Sequence, residues 1–388
     1  MKIRKVIASV VVLVCMFSSA SCTLFEALRN SNASNSDVKW EYLIENITEI
    51  KNVIILIGDG MGPVQIKAGE IYKGEQLIMQ QFPYRANVNT NSLSRETDSA
   101  AAATAIATGK RTFNGIVGLD DRAYYDENAE AELETIVDIA AAMGKRTGVL
   151  TTEALHGATP MGFSAHNFSR NNSLELLESA AKNSNVNLFV SETFEREYYT
   201  CFTQNGYVEI PYAKDISTAT EEKIFGAYDI KANGGTSFDY VVTEALEYLS
   251  QDEDGFFLMA EGAKIDKAGH YNDMRYMLEE LLAFDDAIKA VLEWTKGRTD
   301  TVVIVTADHE TGMLTLGQNV THENILETDY GKPINYSWGS TGHTPTEVYC
   351  YINGVDIDFT NYSYGLSDTI KNTDIFEIMK ALLNNDIN

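Results

Sequence analysis

The sequence has few cysteines, few cations and no long apolar run, and each shortage narrows what the chain can be. Its 4 cysteines show none of the spacings of cysteine-based metal sites. Lysine and arginine number 30 against 56 aspartates and glutamates, giving a net charge of −26. This charge argues against nucleic-acid binding, which requires a basic surface, and against electrostatic docking to an anionic membrane. No apolar stretch is long enough for a permanent membrane span.

The most apolar stretch, residues 6–17, lies near the N-terminus, after a basic start and before a run of small residues. This pattern predicts an export signal over residues 1–21, and hence a protein of the periplasm or cell surface. Cys22 follows the small residues and resembles the lipidation site of bacterial lipoproteins, although Ser19 replaces the usual leucine. The resemblance predicts membrane attachment through an N-terminal lipid only. Ordinary cleavage near Ala20 is the alternative.

The rest of the chain divides into a tether and one large folded region. Residues 22–45 contain a Ser/Asn-rich run typical of flexible linkers. Residues 46–388 are enough for a large α/β core, and we expect them to form a single domain. Two cysteines lie in this domain, Cys201 and Cys350, which could pair in an oxidising compartment or remain buried thiols.

Strand-like and helix-like segments alternate along this domain. Apolar, β-branched runs predict strands at 52–58, 147–151, 255–260, 301–307 and 348–352. Helical spacing predicts helices at 99–108, 237–249, 274–294 and 373–383. The alternation predicts an α/β three-layer sandwich with a large, mostly parallel central sheet and helices on both faces. The polar stretch 310–342 is expected to be an excursion over the site, and 186–235 gives no clear pattern.

Carboxylates and imidazoles follow three of the predicted strands. Asp59 follows the first, Glu261 the third, and the pair Asp308-His309 the fourth; Asp266 and His270 come soon after Glu261. Ligands bind at the carboxyl ends of parallel strands, and these donors suit zinc-like ions, so a polynuclear metal site is predicted. Each fragment also has a plainer interpretation, as a capping pair at a strand end or a solvated turn.

Three further residues are candidates on local grounds. Ser99 opens an alanine-rich helix, where the positive end of the helix dipole favours an alkoxide or a phosphate oxygen. Taken alone, this position is more typical of a simple N-cap. His343 lies in a Gly-flanked polar loop, and Arg170 follows a short polar run; taken singly, each would be an ordinary surface residue.

Taken together and in this order, the fragments resemble the alkaline phosphatase family over roughly residues 50 to 385. The matching pieces are Asp59-Gly60-Met61-Gly62, Thr97-Asp98-Ser99-Ala100-Ala101, Ala158-Thr159-Pro160, Ser169-Arg170, the Glu261 to His270 segment, Thr306-Ala307-Asp308-His309 and Thr341-Gly342-His343-Thr344. The resemblance implies an alkaline-phosphatase-like fold and hydrolysis of small phosphate monoesters. It also makes a homodimer possible.

The resemblance assigns a role to each matched residue. One zinc ion would bind Asp266, His270 and His343, and a second would bind Asp59, Asp308 and His309. Asp59 would also reach a magnesium ion held by Thr159 and Glu261. Ser99 would be the nucleophile that forms a phosphoserine, and Arg170 would clamp two phosphate oxygens. Lys267 would reach the phosphate through water, or would be a plain surface lysine.

One departure from the family pattern lies beside the implied magnesium site. The position two before Thr159 is often aspartate or histidine in the family, and here it is Gly157. Two other functions remain open: a phosphodiesterase of the same superfamily, and a surface lipoprotein that binds metal or phosphate without turnover. Thr159, Glu261 and Arg170 disfavour the first, because they suit a terminal phosphate dianion. The presence of Ser99 disfavours the second.

Overall fold

The computed structural model describes Ile44 and residues 47–329, 331–363 and 369–386. The predicted export signal, the lipidation site at Cys22 and most of the tether lie outside the described residues. Within the described part of the chain, no helix is both long and apolar enough to cross a membrane.

The described strands are β1 (Asn52–Gly58), β2 (Tyr84–Asn89), β3 (Arg146–Ala154), β4 (Leu188–Glu192), β5 (Val208–Glu209), β6 (Ile224–Tyr228), β7 (Phe256–Gly262), β8 (Thr301–Thr306), β9 (Glu310–Thr311), β10 (Leu314–Leu316), β11 (Thr328–Asp329), β12 (Lys332–Pro333), β13 (Tyr336–Trp338), β14 (His343–Thr344), β15 (Val348–Asn353) and β16 (Thr369–Lys371). Ten of them form one sheet, in the order β16-β2-β15-β8-β1-β7-β3-β4-β6-β5. Every pairing in it is parallel except those of β15, which is antiparallel to both neighbours.

The centre of the sheet is the part that positions the site. All residues of β1, β7 and β8 are buried, which requires cover on both faces of the sheet and explains their continuous apolar sequences. Ile57 of β1 lies opposite Glu261 of β7 and Thr306 of β8. The three strands therefore end at the same edge. The predicted mostly parallel α/β sheet is confirmed, although β7 continues through Glu261 and Gly262, so that Glu261 lies within the strand.

The helices fill the layers on either side of this sheet. They are α1 (Pro63–Lys73), α2 (Ser99–Thr108), α3 (Arg122–Tyr125), α4 (Ile136–Ala142), α5 (Ala158–Gly162), α6 (Ser173–Asn183), α7 (Tyr199–Thr203), α8 (Phe238–Leu249), α9 (Lys264–His270), α10 (Met274–Trp294) and α11 (Asn372–Leu383), with 3-10 turns at Ile78–Gln81, Arg196–Tyr198, Ala213–Asp215 and Phe359–Asn361. Every residue of α2 is buried, and its small side chains let other backbones approach. A Cβ on Gly162 would lie 2.5 Å from Cβ of Ala103. The predicted end of this helix at residue 108 is correct, and Gly109 after it has a left-handed backbone with φ at 72°.

The predicted excursion near 310–342 is an arm of short antiparallel pairs. Strand β9 pairs with β14, β10 with β13, and β11 with β12. His343 lies opposite Thr311 in the first of these pairs. The arm thus leaves the sheet just after His309 and returns His343 to the same place.

The two cysteines of the domain are both free thiols, so the disulfide alternative is wrong. Cys350 is enclosed in β15, the third strand of the sheet, whereas Cys201 lies on α7, which contacts β5 at the far edge. Seven strand spacings of about 4.8 Å separate β15 from β5, which is about 34 Å and far beyond the reach of a disulfide.

Candidate metal centre and nucleophile

The structure brings the predicted metal ligands together in two adjacent groups. The inner cluster consists of Asp59, Asp308 and His309. The outer cluster consists of Asp266, His270 and His343. In each cluster one candidate ligand atom per residue lies within 4.8 Å of the others. The inner cluster is buried, and the outer cluster is partly exposed. These are the same two sets of residues that the family resemblance assigned to two zinc ions.

The inner cluster is held by backbone donors at the ends of β1 and β8. Oδ1 of Asp308 accepts hydrogen bonds from the backbone N–H groups of Gly60 and His309, at 3.1 and 2.8 Å. The other oxygen, Oδ2, lies 3.1 Å from Nε2 of His309 and is buried without a hydrogen-bond partner. Oδ1 of Asp59 is also buried without a hydrogen-bond partner, and it lies 3.6 Å from Nε2 of His309. Buried polar atoms are normally satisfied, so these oxygens fit a site for a cation.

In the outer cluster, both imidazoles use one nitrogen for orientation. Nδ1 of His270 donates to the carbonyl of Thr341 at 2.6 Å, and Nδ1 of His343 donates to the carbonyl of Thr97 at 2.9 Å. Each Nε2 then faces Asp266, at 3.2 and 3.6 Å from its oxygens. Metal-binding histidines characteristically carry such a second hydrogen bond, which fixes ring and tautomer.

Thr311 joins the two clusters, a role that no pattern in the sequence indicates. Its hydroxyl donates to Oδ1 of Asp266 at 2.5 Å and lies 3.2 Å from Nδ1 of His309. Because the single hydroxyl proton goes to the carboxylate, the hydroxyl oxygen accepts from His309 and leaves Nε2 facing the inner cluster. The rings of His309 and His343 are also stacked, with centroids 3.6 Å apart. Both clusters therefore share one support.

A third group of oxygen atoms, the oxygen group, comprises Asp59, Thr159 and Glu261. Oγ1 of Thr159 and Oε1 of Glu261 are buried without a hydrogen-bond partner, as is Oδ1 of Asp59. The other oxygen of Glu261 accepts from the hydroxyl of Thr151 at 2.5 Å. Burial, and then the nearby Glu153 carboxylate, raises the pKa of Glu261 to about 8. Oxygen donors in a strongly negative setting fit magnesium.

Ser99 lies beside the inner cluster, buried, with Oγ 3.2 Å from Nε2 of His309. It is not the N-cap of α2, as one alternative held. Asp98 is the cap, because its Oδ1 accepts from the backbone N–H of Ala101 at 3.0 Å. Ser99 is the first residue of the helix, where backbone N–H groups are unpaired and the dipole is positive.

Arg170 is tied to the same helix end. Its Nη1 lies 3.1 Å from Oδ2 of Asp98, and its backbone N–H donates to the carbonyl of Gly115 at 2.7 Å. The same Oδ2 accepts from the backbone N–H of Gly115 at 3.0 Å. One carboxylate therefore caps α2 and orients the guanidinium. Asp98 belongs to the sequence motif around Ser99, but nothing in that motif predicts this double role.

Lys267 does not extend freely toward solvent. Its Nζ lies 2.6 Å from Oε2 of Glu153, and its side chain is 41% exposed. Glu153, near the end of β3, was not among the predicted site residues. No metal-type spacing connects it to the others, so its place became visible only in the fold.

Metal binding to the outer cluster should depend on pH. Hydrogen bonding to Asp266 raises the pKa of His270 to about 9, so the metal-free protein carries this proton at pH 7. A metal binds neutral imidazole, so loading should release a proton at pH 7. The affinity should rise as the pH increases toward about 9 and level off above it. Zinc titration calorimetry in two buffers of different ionisation enthalpy measures the release; heats that do not depend on the buffer would contradict it.

Fold and site place the chain among α/β proteins with a candidate polynuclear metal centre at the carboxyl edge of the sheet. It belongs to the alkaline phosphatase family: the family model of that description matches residues 50–196 and 222–334. Alkaline phosphatase 3 of Bacillus subtilis is 31% identical over 307 residues, a match that covers 70% of this chain and 63% of that protein. The chain thus spans less than two thirds of this relative.

Solved structures give the same assignment. The alkaline phosphatase from the Antarctic bacterium TAB5 superposes with a TM-score of 0.72 at 28% identity, covering 87% of this chain and 99% of that one. A histidine-to-aspartate variant of that enzyme, described with magnesium in a site named M3, gives a TM-score of 0.70 at 27% identity, with the same coverage. The predicted alkaline-phosphatase-like fold is therefore confirmed.

Proposed function

We propose that the protein hydrolyses phosphate monoesters through a phosphoserine on Ser99, with two zinc ions and one magnesium ion as cofactors. The observation that carries this proposal is the position of Ser99. Its hydroxyl lies 3.2 Å from Nε2 of His309, at the N-terminus of α2 and beside the inner cluster, in which Asp59 and Asp308 each have a buried oxygen without a hydrogen-bond partner. A protein that only binds metal or phosphate has no need of a nucleophile there.

The ligand atoms suit those three ions. The inner and outer clusters, with nitrogen and carboxylate donors, would each hold a zinc ion, and the oxygen group would hold magnesium. When bound, such ions lower the pKa of coordinated hydroxyl groups and neutralise the charge of a transferring phosphoryl group. Asp59 would belong to both the inner cluster and the oxygen group.

The residues of the chain supply positioning. Ser99 Oγ attacks phosphorus, the ester oxygen leaves with a proton, and water then hydrolyses the phosphoserine to release phosphate and restore the hydroxyl. The first N–H groups of α2 face the phosphate, because the N-terminus of a helix is a ready anion site. Arg170 presents a planar fork that matches two phosphate oxygens. Phosphoryl transfer requires little more than such positioning and charge neutralisation.

Arg170→Ala should weaken the binding of substrate and of inorganic phosphate about ten- to hundredfold, the range expected for lost charge-assisted hydrogen bonds. The value of kcat should change less. Arg170→Lys keeps the charge but not the fork, and should recover only part of the loss. The measurements are KM for a monoester and the inhibition constant of phosphate. Unchanged values in Arg170→Ala would remove the clamp from the proposal.

A direct test compares p-nitrophenyl phosphate with bis-p-nitrophenyl phosphate, with and without a chelator. We expect chelator-sensitive hydrolysis of the monoester and little hydrolysis of the diester. Preference for the diester would favour the phosphodiesterase alternative, and hydrolysis of neither by the metal-loaded protein would favour the non-catalytic one. Thr159, Glu261 and Arg170 support the monoesterase because together they match the extra charge of a terminal phosphate.

We also propose that the chain is exported and anchored by a lipid on Cys22. The support is the N-terminal sequence pattern alone, since these residues lie outside the described structure. Partitioning into detergent that is lost in Cys22→Ser would support the anchor; partitioning that persists would contradict it.

A further inference from the structure

Gly157 is required by the space around it and not by its backbone conformation. Its φ and ψ are −56° and 153°, values that any residue adopts. The space around it is what excludes a side chain. A Cβ at this position would lie 2.0 Å from Oε1 of Glu153 and 2.6 Å from its Cδ. The glycine therefore makes room for the carboxylate of Glu153, which occupies the place where a side chain at 157 would begin.

The strand that carries Glu153 brings it to the oxygen group. Thr151 of β3 lies opposite Glu261 of β7, and its hydroxyl bonds to that carboxylate. Two residues later Glu153 approaches Gly157, which is itself two residues before Thr159. The Glu153 carboxylate thus adds negative charge close to the oxygen group, whose buried oxygen atoms have no hydrogen-bond partners.

The second oxygen of Glu153 holds a cation. Oε2 lies 2.6 Å from Nζ of Lys267, which is on α9 between the outer-cluster ligands Asp266 and His270. The side chain of Glu153 is 18% exposed, so its carboxylate is largely shielded from water, whereas Lys267 is 41% exposed. One carboxylate therefore contacts Lys267 with one oxygen and faces Gly157 with the other.

We infer that Glu153, reaching over Gly157, completes the oxygen group as a magnesium-positioning carboxylate and fixes Lys267 beside it. This inference rests on the proposed magnesium site. Glu153 supplies from the end of β3 the charge that a side chain at 157 would otherwise supply from the loop. Lys267, in turn, is held by Glu153 and faces the site as part of a fixed ion pair.

Three variants test this assignment on the zinc-loaded protein, with magnesium affinity measured by titration calorimetry and zinc content by elemental analysis. Glu153→Gln should weaken magnesium binding at least about tenfold, as expected for a residue that supports a metal site. Gly157→Ala should do the same, because its methyl group displaces the flexible end of Glu153 while leaving the carboxylate in the chain. Glu153→Ala combined with Gly157→Asp should recover affinity to within about threefold of the original.

Glu195→Gln is the matched control, since Glu195 lies on the neighbouring loop 3.7 Å from His156 and is 59% exposed. It should leave the magnesium affinity unchanged. Original affinity in both Glu153→Gln and Gly157→Ala would overturn the inference. If that result came with intact monoester hydrolysis, the proposed function would stand and only the role of Glu153 would fall. If magnesium binding depended on Glu153 but the original protein hydrolysed no monoester, the inference would stand without the proposed function.

Discussion

Ser99→Ala should lower the turnover of a phosphate monoester at least about a hundredfold while the protein still loads its metals, the loss expected when covalent catalysis is removed. The cause is local, because Ser99 is the first residue of α2 and its hydroxyl points to Nε2 of His309. Alanine is a good helix former, and Asp98 remains to cap the helix. The fold and both clusters should therefore persist.

The measurement is kcat for p-nitrophenyl phosphate together with zinc and magnesium content. Rapid quenching after mixing with phosphorus-labelled substrate should trap label on the original chain and none on the variant. Ser250→Ala serves as a control, since Ser250 lies at the end of α8 and its hydroxyl donates to the carbonyl of Glu247 on the same helix. Near-original turnover of a fully loaded Ser99→Ala protein would refute the nucleophile assignment.

Asp59→Asn should remove two ions with one substitution. The Asp59 carboxylate lies at the end of β1, within the inner cluster, and its Oδ1 is one of the unpaired buried oxygens. An amide can offer an oxygen but not a charge, and the ions gain most of their stabilisation from charge. Both zinc at the inner cluster and magnesium should be depleted, while the outer cluster keeps its ligands. We expect turnover to fall by more than about a hundredfold as a result.

In the absence of metal, the same Asp59→Asn substitution should stabilise the folded protein. Burial, followed by repulsion from Asp308, Asp266 and Glu261, raises the pKa of Asp59 well above its ordinary value of 3.8. The folded state therefore retains a proton that the unfolded state releases, and this group lowers stability as the pH rises above that value. Asn at position 59 removes the penalty, so the free energy of unfolding at pH 7 should increase without metal.

Denaturant unfolding with and without zinc and magnesium, combined with elemental analysis, separates these effects. Asp254→Asn, in an exposed turn before β7, provides the control and should change neither quantity. Full occupancy of all sites in Asp59→Asn would remove the claim that one carboxylate serves both ions. A metal-free variant less stable than the original would show that Asp59 has a different role in the fold.

The sequence predicted the centre of the fold well because the relevant information is local. Strands such as β1 and β8 are buried on both faces, so their composition is continuously apolar and ends abruptly at polar ligands. The order of the motifs then placed those ligands at one edge. All the residues assigned to the inner and outer clusters lie together in the structure.

Features that depend on distant contacts could not be predicted in the same way. The arm after His309 consists of strands of two or three residues, too short for a periodic signal. Thr311 acts through its hydroxyl to two side chains, and a single threonine carries no spacing pattern. Glu153 reaches the oxygen group because Gly157 leaves space for its carboxylate, and such space becomes visible only in the folded structure. Whether Cys201 and Cys350 could meet depended on strand order across the whole sheet.

The pairing of β9 with β14 closes the long arm between His309 and His343. An imidazole delivered by such a detour reaches its place only after the entropy of closing the intervening segment has been overcome. Zinc on the outer cluster would then hold His343 in place and so stabilise the whole arm. The inner cluster does not depend on the arm, because its ligands follow two central strands. Removal of zinc would thus make the arm sensitive to proteases under conditions in which the central sheet is still folded.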